Sequence, residues 1–369
     1  MKFILERSDA LTALTRVAGV VSKSNVPILN NVRIETTVFG IRIQATDLDM
    51  EAVTECPGEI IEHGVTTVNA SKMSEIVKSA APGSQIKFEL DASDDPRLHA
   101  SSGRSRFKLP VIDADIFPSI PDDVWAAEFD IDAPVLSDML TRTVFAAGTS
   151  VSAVALIGVY LTISDNDLLA VGCSGRRFAT VRTDIPDGAR DMPSVIIPTK
   201  AVGQIVRLLP EAGIARLSVS ANKWRVEANG ATVTGKVIDY DYLEYQRGLP
   251  VDIPHVAKAG REALIGCVRR ALIAGESDSV GVGIRLAFTT GLLTVTGSNS
   301  VEEARDEIEI DYDGPDLTVG LTAVYVLDAA NNLVGDVVNI GIGDGLPVVV
   351  FASPSDEAAV NTCAKRMVR

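Results

Sequence analysis

One pattern of segments occurs three times along this chain, and that repetition limits the possible folds more than any other feature. "TRTVFAAGTS" at 141–150 lines up with "VRRALIAGES" at 268–277, which puts Arg142 on Arg269, Phe145 on Leu272 and Gly148 on Gly275. A weaker copy, "LTRVAGVVS" at 14–22, brings in Arg16. The match extends well beyond these helices. "NNVRIETTVFGIRIQATDLDMEA" ends at Ala52, "IGVYLTISDNDLLAVGCSGRRFA" at Ala179 and "VGIRLAFTTGLLTVTGSNSVEEA" at Ala304. Next come "SKMSEIVKSAAPGSQIKFEL", "TKAVGQIVRLLPEAGIARLSV" and "TAVYVLDAANNLVGDVVNIGI", each a short helical pattern, a Gly turn and a strand. Finally "KLPVIDADIFPSIP" at 108–121 resembles "KVIDYDYLEYQRGLP" at 236–250. Segments that keep one order at a near-constant offset mark tandem copies of one unit, about 123 residues each. The Pro- and Asp-containing linkers "SIPDD" and "LPVD" set the expected domains at 1–124, 125–250 and 251–369.

Within each copy the first helix carries apolar residues on one face: Leu11, Leu14 and Val17, then Leu136, Leu140 and Val144, then Leu264, Val268 and Leu272. The strands alternate instead, with Val32 and Ile34 against Arg33 and Glu35, which gives one buried and one wet face. Two helices and many strands per copy predict an α+β fold, the helices packed on one side of a curved antiparallel sheet.

Hydrophobic residues make up 46% of the chain and charged residues 22%, enough for packed cores and typical of a soluble protein. Glu6 and Asp9 interrupt the apolar start, so no signal-peptide core is expected there, and no apolar run reaches membrane-spanning length. The expected location is the cytoplasm. Cys56, Cys173, Cys267 and Cys363 are far apart and form no CxxC pair, and His63, His99 and His255 are scattered, so no zinc or redox motif is expected.

The net charge of −15 disfavours nucleic acid as a partner until the charges are sorted by element. Six helical windows, at 9–23, 71–79, 134–147, 199–210, 261–274 and 322–333, hold ten basic and five acidic residues. The remainder holds 24 basic and 44 acidic. A basic helical surface on an acidic body suits sequence-independent contact with the phosphates of duplex DNA. The candidates are Arg16, Lys23, Lys72, Lys78, Arg142, Lys200, Arg207, Arg269 and Arg270. The alternative is that Lys and Arg simply complement helix C-termini, worth ~0.3–1 kcal/mol each. Neither zinc fingers nor base-stacking aromatic motifs occur, and aromatic content is 5%.

Catalysis finds little support. Asp47, Asp49 and Glu51 alternate on one strand face and could hold Mg²⁺, but the other copies replace them with "CSGRRF" and "GSNSVEE". "GCSGR" at 172–176 lacks the final Gly of a nucleophile elbow, and "GIGDG" at 341–345 is a hairpin turn rather than a phosphate loop. A non-catalytic protein with no metal and no cofactor is expected.

Several of these segments resemble the bacterial β sliding clamp family, the processivity subunits of DNA polymerase III. They are "MKFILERSDALTAL", "VPILNNVRIE" at 26–35, "ATDLDMEA" at 45–52, "SGRSRFKLP" at 102–110 and "YVLDA" at 325–329. The resemblance covers the whole chain. It implies a head-to-tail homodimer whose six domains form a ring around duplex DNA, with helices lining the hole. It also implies a clamp loader, the replicative DNA polymerase and other clamp-motif proteins as partners, and no membrane. In the implied subunit interface Arg104, Arg106 and Phe107 of one copy meet Leu272, Ile273, Glu302, Glu303, Asp306 and Glu307 of the other. The implied partner-peptide pocket comprises Leu156, Cys173, Gly175, Arg177, Phe178, Leu243, Arg247, Gly248, Leu346, Cys363, Lys365 and Met367. Around this pocket the chain departs from the family pattern. "CSGRRF" stands for "TDGHRL", "YLEYQR" for "FPDYRR", and "CAKRMVR" for an ending near "MPMR", so that Leu243 replaces a proline and Lys365 a methionine. The departures imply altered partner or inhibitor binding, as in a second-copy clamp. A ring-shaped scaffold that only tethers proteins is the alternative function.

Overall fold

The computed structural model describes residues 1–21, 23–250 and 252–367; the side chains of Arg247 and Gly248 fall outside the description. Its first portion runs β1 (Lys2–Glu6), α1 (Arg7–Ala18), β2 (Asn31–Thr37), β3 (Gly40–Thr46), β4 (Met50–Cys56), β5 (Glu59–Glu62), β6 (Val65–Asn69), α2 (Ala70–Ser79), β7 (Gln85–Leu90), β8 (Arg97–Ser102) and β9 (Ser105–Ile112). The same order recurs as β10 (Ala127–Asp132), α3 (Ala133–Val144), β11 (Gly158–Ser164), β12 (Asp167–Cys173), β13 (Arg177–Asp184), β14 (Val195–Pro198), α4 (Thr199–Leu208), β15 (Ile214–Val219), β16 (Lys223–Ala228) and β17 (Ala231–Lys236). It recurs again as β18 (His255–Gly260), α5 (Arg261–Ala271), β19 (Ser277–Asp278), β20 (Gly281–Thr289), β21 (Leu292–Ser298), β22 (Glu303–Asp311), β23 (Leu317–Thr322), α6 (Ala323–Asn331), β24 (Val337–Ile342), β25 (Val348–Ser353) and β26 (Asp356–Ala364). Each copy has two helices and a shared set of eight strands, with β5 and β19 as short additions.

All six predicted helices form, but α1 ends at Ala18, so Lys23 lies beyond the helix rather than on it. The helices bury Ala10, Ala13 and Leu14 in α1, Leu136, Met139 and Leu140 in α3, and Leu264, Cys267 and Val268 in α5, whereas Leu11, Val144 and Leu272 of the expected faces are only half-buried. These triplets correct the repeat alignment by one residue. They match Arg142 with Arg16 and with Arg270, not with Arg269. Two glycines confirm the shift. A Cβ on Gly172 would lie 1.9 Å from the Thr143 carbonyl oxygen, and one on Gly297 would lie 1.9 Å from that of Ala271. At both places the strand backbone touches the end of the helix, and only glycine leaves room. The sequence match slipped because the loop after α5 is one residue shorter before the shared Gly275.

The contacts gather into two compact units. One comprises Met1–Ser137, Pro186–Pro193 and Lys200–Val237; the other comprises Asp138–Ile185, Ser194–Thr199 and Ile238–Arg369. Each unit is built on one antiparallel sheet of 13 strands. The first sheet runs β10-β15-β16-β17-β4-β3-β2-β6-β9-β8-β7-β1-β5. The second runs β14-β11-β12-β13-β26-β25-β24-β18-β22-β21-β20-β19, with β23 beside β20. The middle copy thus gives four strands to each unit. Its β17 pairs with β4 of the first copy, Ala52 opposite Val233, and its β13 pairs with β26 of the third, Ala179 opposite Asn361.

Candidate functional site

The nine candidate basic residues divide by environment. Within the first unit, Lys23, Lys78 and Arg207 are exposed and have no side-chain partner among the described residues. Lys72 pairs with Glu75 at 2.9 Å, and Lys200, in the first turn of α4, pairs with Asp47. Arg16 is half-buried: its guanidinium donates to Asn229 Oδ1 at 3.1 Å, and its carbonyl accepts from Gln204 Nε2 at 2.7 Å. Within the second unit, Arg269 is exposed and has no partner among the described residues, while Arg270 donates from Nε to Asp306 Oδ2 at 2.5 Å. Arg142 does not fit a phosphate-facing role. It is 8% exposed and donates to Asp138 at 2.8 Å, to Asp356 at 2.5 Å and to the Asn332 carbonyl at 3.0 Å. Arg16 and Arg142 therefore do the same work at the same helical position. Each ties the first helix of one copy to the last hairpin of the next.

Several strands pair on one side only among the described residues, β5, β10, β14 and β23 among them, and two further strands leave most of one edge unpaired. β22 pairs with β21 along its length but with β18 only through Ile310 and Asp311. β9 pairs with β8, and with β6 only through Val111 and Ile112. The expected interface residues lie on or beside these edges. Arg104, Arg106, Glu302, Glu303 and Glu307 are exposed, Phe107, Leu272 and Asp306 are half-buried, and Ile273 is 80% exposed. Phe107 also lines a cavity of about 300 Å³ together with Ile76, Ser79, Ala80 and Ile86.

The expected pocket residues fall into two groups within the second unit. Cys173 and Phe178 are buried with Val171 and Tyr245, and Leu156, Tyr160, Tyr242 and Leu249 pack around them. The rings of Tyr160 and Tyr242 stack at 4.5 Å, and Phe178 stacks on Tyr245 at 6.0 Å. Leu243, beside this stack, is 37% exposed. Arg177 and Cys363 belong to the other group. The Arg177 guanidinium pairs with Asp328 at 2.5 Å and lies 4.9 Å from the centre of the Tyr325 ring, and Cys363 Sγ contacts the Tyr325 carbonyl at 3.4 Å. Burial pushes the Asp328 carboxyl up although Arg177 pulls it down, and burial pushes the Cys363 thiol up to about 12, so the thiol stays protonated. Gly175 sits in the turn before β13 at φ +80°. Leu346 is half-buried, Met367 is 98% exposed, and Lys365 donates to the Gly343 carbonyl at 2.6 Å. For Arg247 and Gly248 only the backbone is described. The acidic triad has protein partners throughout: Asp47 with Lys200, Asp49 with Lys236, and Glu51 with Gln44 and the Ile120 N–H.

Three family models match in succession: the N-terminal domain of the DNA polymerase III beta subunit over residues 1–121, the central domain over 130–244 and the C-terminal domain over 246–366. The chain belongs to the DNA polymerase III beta subunit family of sliding clamps. The beta sliding clamp of Caulobacter vibrioides is 33% identical over 364 residues, covering 96% of this chain and 97% of the relative. That of Proteus mirabilis is 30% identical, covering 97% and 98%. Among solved structures, the C. crescentus clamp has a TM-score of 0.95 at 31% identity, covering 100% of this chain and 99% of that one. A Bartonella birtlesii clamp solved bound to griselimycin has a TM-score of 0.94 at 28% identity, with full coverage of both chains.

Sequence reasoning missed the aromatic cluster that Cys173 and Phe178 join in this clamp. Tyr242 and Tyr245 lie within the segment "YLEYQR", but Tyr160 is distant in sequence, and no local period links it to them. The i,i+3 spacing of the two tyrosines was the available signal.

Proposed function

We propose that this sliding clamp acts as a head-to-tail homodimer that closes a six-domain ring around duplex DNA and holds DNA polymerase III and other clamp-binding proteins on it. One observation carries the dimer: the rule joining successive copies inside the chain is left unmet at its two ends. The third-strand edge of copy one takes the last strand of copy two, and that of copy two takes the last strand of copy three. The matching edge of copy three is β22, and the unused last strand is β9. Val233 and Asn361, the residues opposite Ala52 and Ala179, each lie opposite the hairpin residue two before its turn, Val226 and Phe351. The counterpart in copy one is Phe107, opposite Ala100. The same register puts Phe107 of a second copy opposite Ala304. Lys108 then faces Glu303; Arg106 lies directly opposite Arg305, an unfavourable like-charge pair, offset by Glu303 and Glu307 on its diagonals and by the pairing of Arg305 with Glu307. Ile273 of one copy fills the cavity beside Phe107 of the other. Such an interface is heterologous and closes.

In this arrangement Lys23, Lys78, Arg207 and Arg269 meet phosphates without reading bases, with Lys72, Lys200 and Arg270 as paired reserves. Domain boundaries fall at 124/125 and 250/251; Val251 itself lies outside the described residues. The aromatic cluster around Tyr245 receives partner peptides, and it is where a ligand such as griselimycin would act. The clamp is a non-catalytic cytoplasmic accessory subunit loaded by a clamp loader.

The test combines mass and retention. In sedimentation the parent and the double variant Arg207→Glu/Arg269→Glu should both run near twice 39.1 kDa. The parent loaded on nicked circular DNA should stay bound through gel filtration, and the double variant should not. A monomeric parent rejects the dimer. A dimeric variant retained like the parent rejects the DNA-facing assignment and favours a protein-only scaffold.

A further inference from the structure

Arg16 and Arg142 join successive copies in the same way, but only Arg142 finds carboxylates. Its Nε, Nη1 and Nη2 donate to the Asn332 carbonyl, Asp138 and Asp356. Arg16 meets Asn229 instead, and its Nε–H is buried without an acceptor among the described residues. Nη2, which shares one edge of the guanidinium with Nε, already donates to Asn229 Oδ1 at 3.1 Å. Beside that oxygen the amide carries Nδ2, a donor, where a carboxylate would carry a second acceptor. One atom therefore separates this contact from the two-bond pairing of arginine with carboxylate.

Asn229 precedes Gly230 in the only Asn-Gly step of the sequence. The two residues form the exposed turn between β16 and β17, at φ 49° and 69°, the left-handed pair that this dipeptide favours. Gly230 has no side chain to obstruct attack by its backbone nitrogen. A Cβ there would lie 3.2 Å from Arg16 Nη1, so the guanidinium also lies against the Gly230 backbone. Thr54 Oγ1 accepts from Arg16 Nη1 at 3.4 Å and donates to the Gly230 carbonyl at 2.9 Å, which holds turn and arginine together. All four residues belong to the first unit.

We propose that Asn229 is a site of self-modification, where deamidation supplies Arg16 with the carboxylate it lacks. The Gly230 nitrogen loses its proton and bonds to Asn229 Cγ. The Cγ–Nδ2 bond breaks, and the leaving nitrogen takes up a proton and departs as ammonia. Water then opens the succinimide ring. Addition at Cγ breaks the new bond to the Gly230 nitrogen and leaves aspartate. Addition at the Asn229 main-chain carbonyl breaks the other bond and leaves isoaspartate, which dominates in unstructured chains. Arg16 donates to the oxygen on Cγ, where negative charge develops at each addition, and so promotes ring closure and directs water to Cγ. The aspartate then accepts from both Nε and Nη2, and the joint between copies one and two gains the ion pair that copies two and three already have.

The purified chain is held at mildly alkaline pH, and its tryptic peptide 226–236 is resolved into asparagine, aspartate and isoaspartate forms against an unincubated sample. The same sequence as a free peptide is the reference. Aspartate should exceed isoaspartate in the chain, and the reverse should hold in the peptide. Arg16→Gln should slow conversion roughly tenfold, the effect of one lost hydrogen bond to a charged group, and remove the excess of aspartate. Asn229→Asp should raise the urea midpoint of the parent and leave that of Arg16→Gln unchanged. The peptide comparison and Asn229→Asp stand even where Arg16→Gln fails to fold. An Asn229 that stays intact in the chain while the free peptide converts overturns the modification site. Equal product ratios in chain and peptide, or an Arg16→Gln chain that converts like the parent, overturn the role of Arg16. An Asn229→Asp midpoint at or below that of the parent overturns the pairing.

Discussion

Arg142 and Arg270 occupy the same position on equivalent helices, yet one is buried and the other is wet. The side chain of Arg142 is 9% exposed, held by Asp356 from the last hairpin of the following copy. That of Arg270 is 59% exposed and held by Asp306 of its own copy. The difference lies in neighbours, not in helix sequence. The last hairpin of copy three covers Arg142 of copy two, and among the described residues no hairpin covers Arg270 in the same way. An exposed residue at a position that is elsewhere buried marks where the next copy belongs.

Breaking the buried member should cost most. Arg142→Ala leaves Asp356, whose side chain is 16% exposed, without its cation, and loss of one partner of a buried pair costs about 3–5 kcal/mol. Arg270→Ala should cost under about 1 kcal/mol in the same assay, because Arg270 itself is mostly exposed and water screens the pair. Urea unfolding of both variants checks this. Equal losses would mean that the two sites are equivalent despite their burial, and the comparison would collapse.

The next effect is on association. Ile273 is 80% exposed, and Ile273→Ala should leave the stability of the monomeric chain within about 0.5 kcal/mol. In the proposed dimer it should weaken each contact by about 2 kcal/mol, roughly thirtyfold, through lost burial and the void it leaves. Dilution-series sedimentation reads the change. An unchanged dissociation constant would place the interface elsewhere.

The contrast between these arginines also shows which parts of the molecule were legible in advance. The helices and the threefold order were, because burial of one face leaves a period in the sequence at 3.6 or 2 residues. The pairing of Arg142 with Arg270 was not, because a one-residue deletion before Gly275 shifts a letter-by-letter match while the buried positions stay in step. The joins β17 to β4 and β26 to β13 leave no period at all, since strand partners far apart in the chain are chosen by edge availability. The Asn229–Gly230 step is plain in the sequence, but only the fold brings Arg16 against it.

The smallest effect concerns Asp306, the partner that keeps Arg270 in its own copy. The Arg270 hydrogen bond holds the Asp306 carboxyl below its ordinary value of 3.8, and the Glu307 N–H adds to this against a raising effect of burial. A carboxyl depressed by folding contributes stability that is fully present above 3.8 and disappears as pH falls through its folded value, because the unfolded chain binds the proton first. Asp306→Asn should therefore lower stability by less than about 1 kcal/mol at pH 7, with the deficit closing below about pH 4. The Ile273→Ala background separates this from association, since Asp306 faces Ser105 of a second copy in the proposed register. Urea midpoints from pH 7 down to pH 3 test it. A deficit that stays constant across that range would mean the Asp306–Arg270 pair carries no charge-dependent stability. Arg270 would then already be as free as Arg269, and its present partner would explain nothing about where it points.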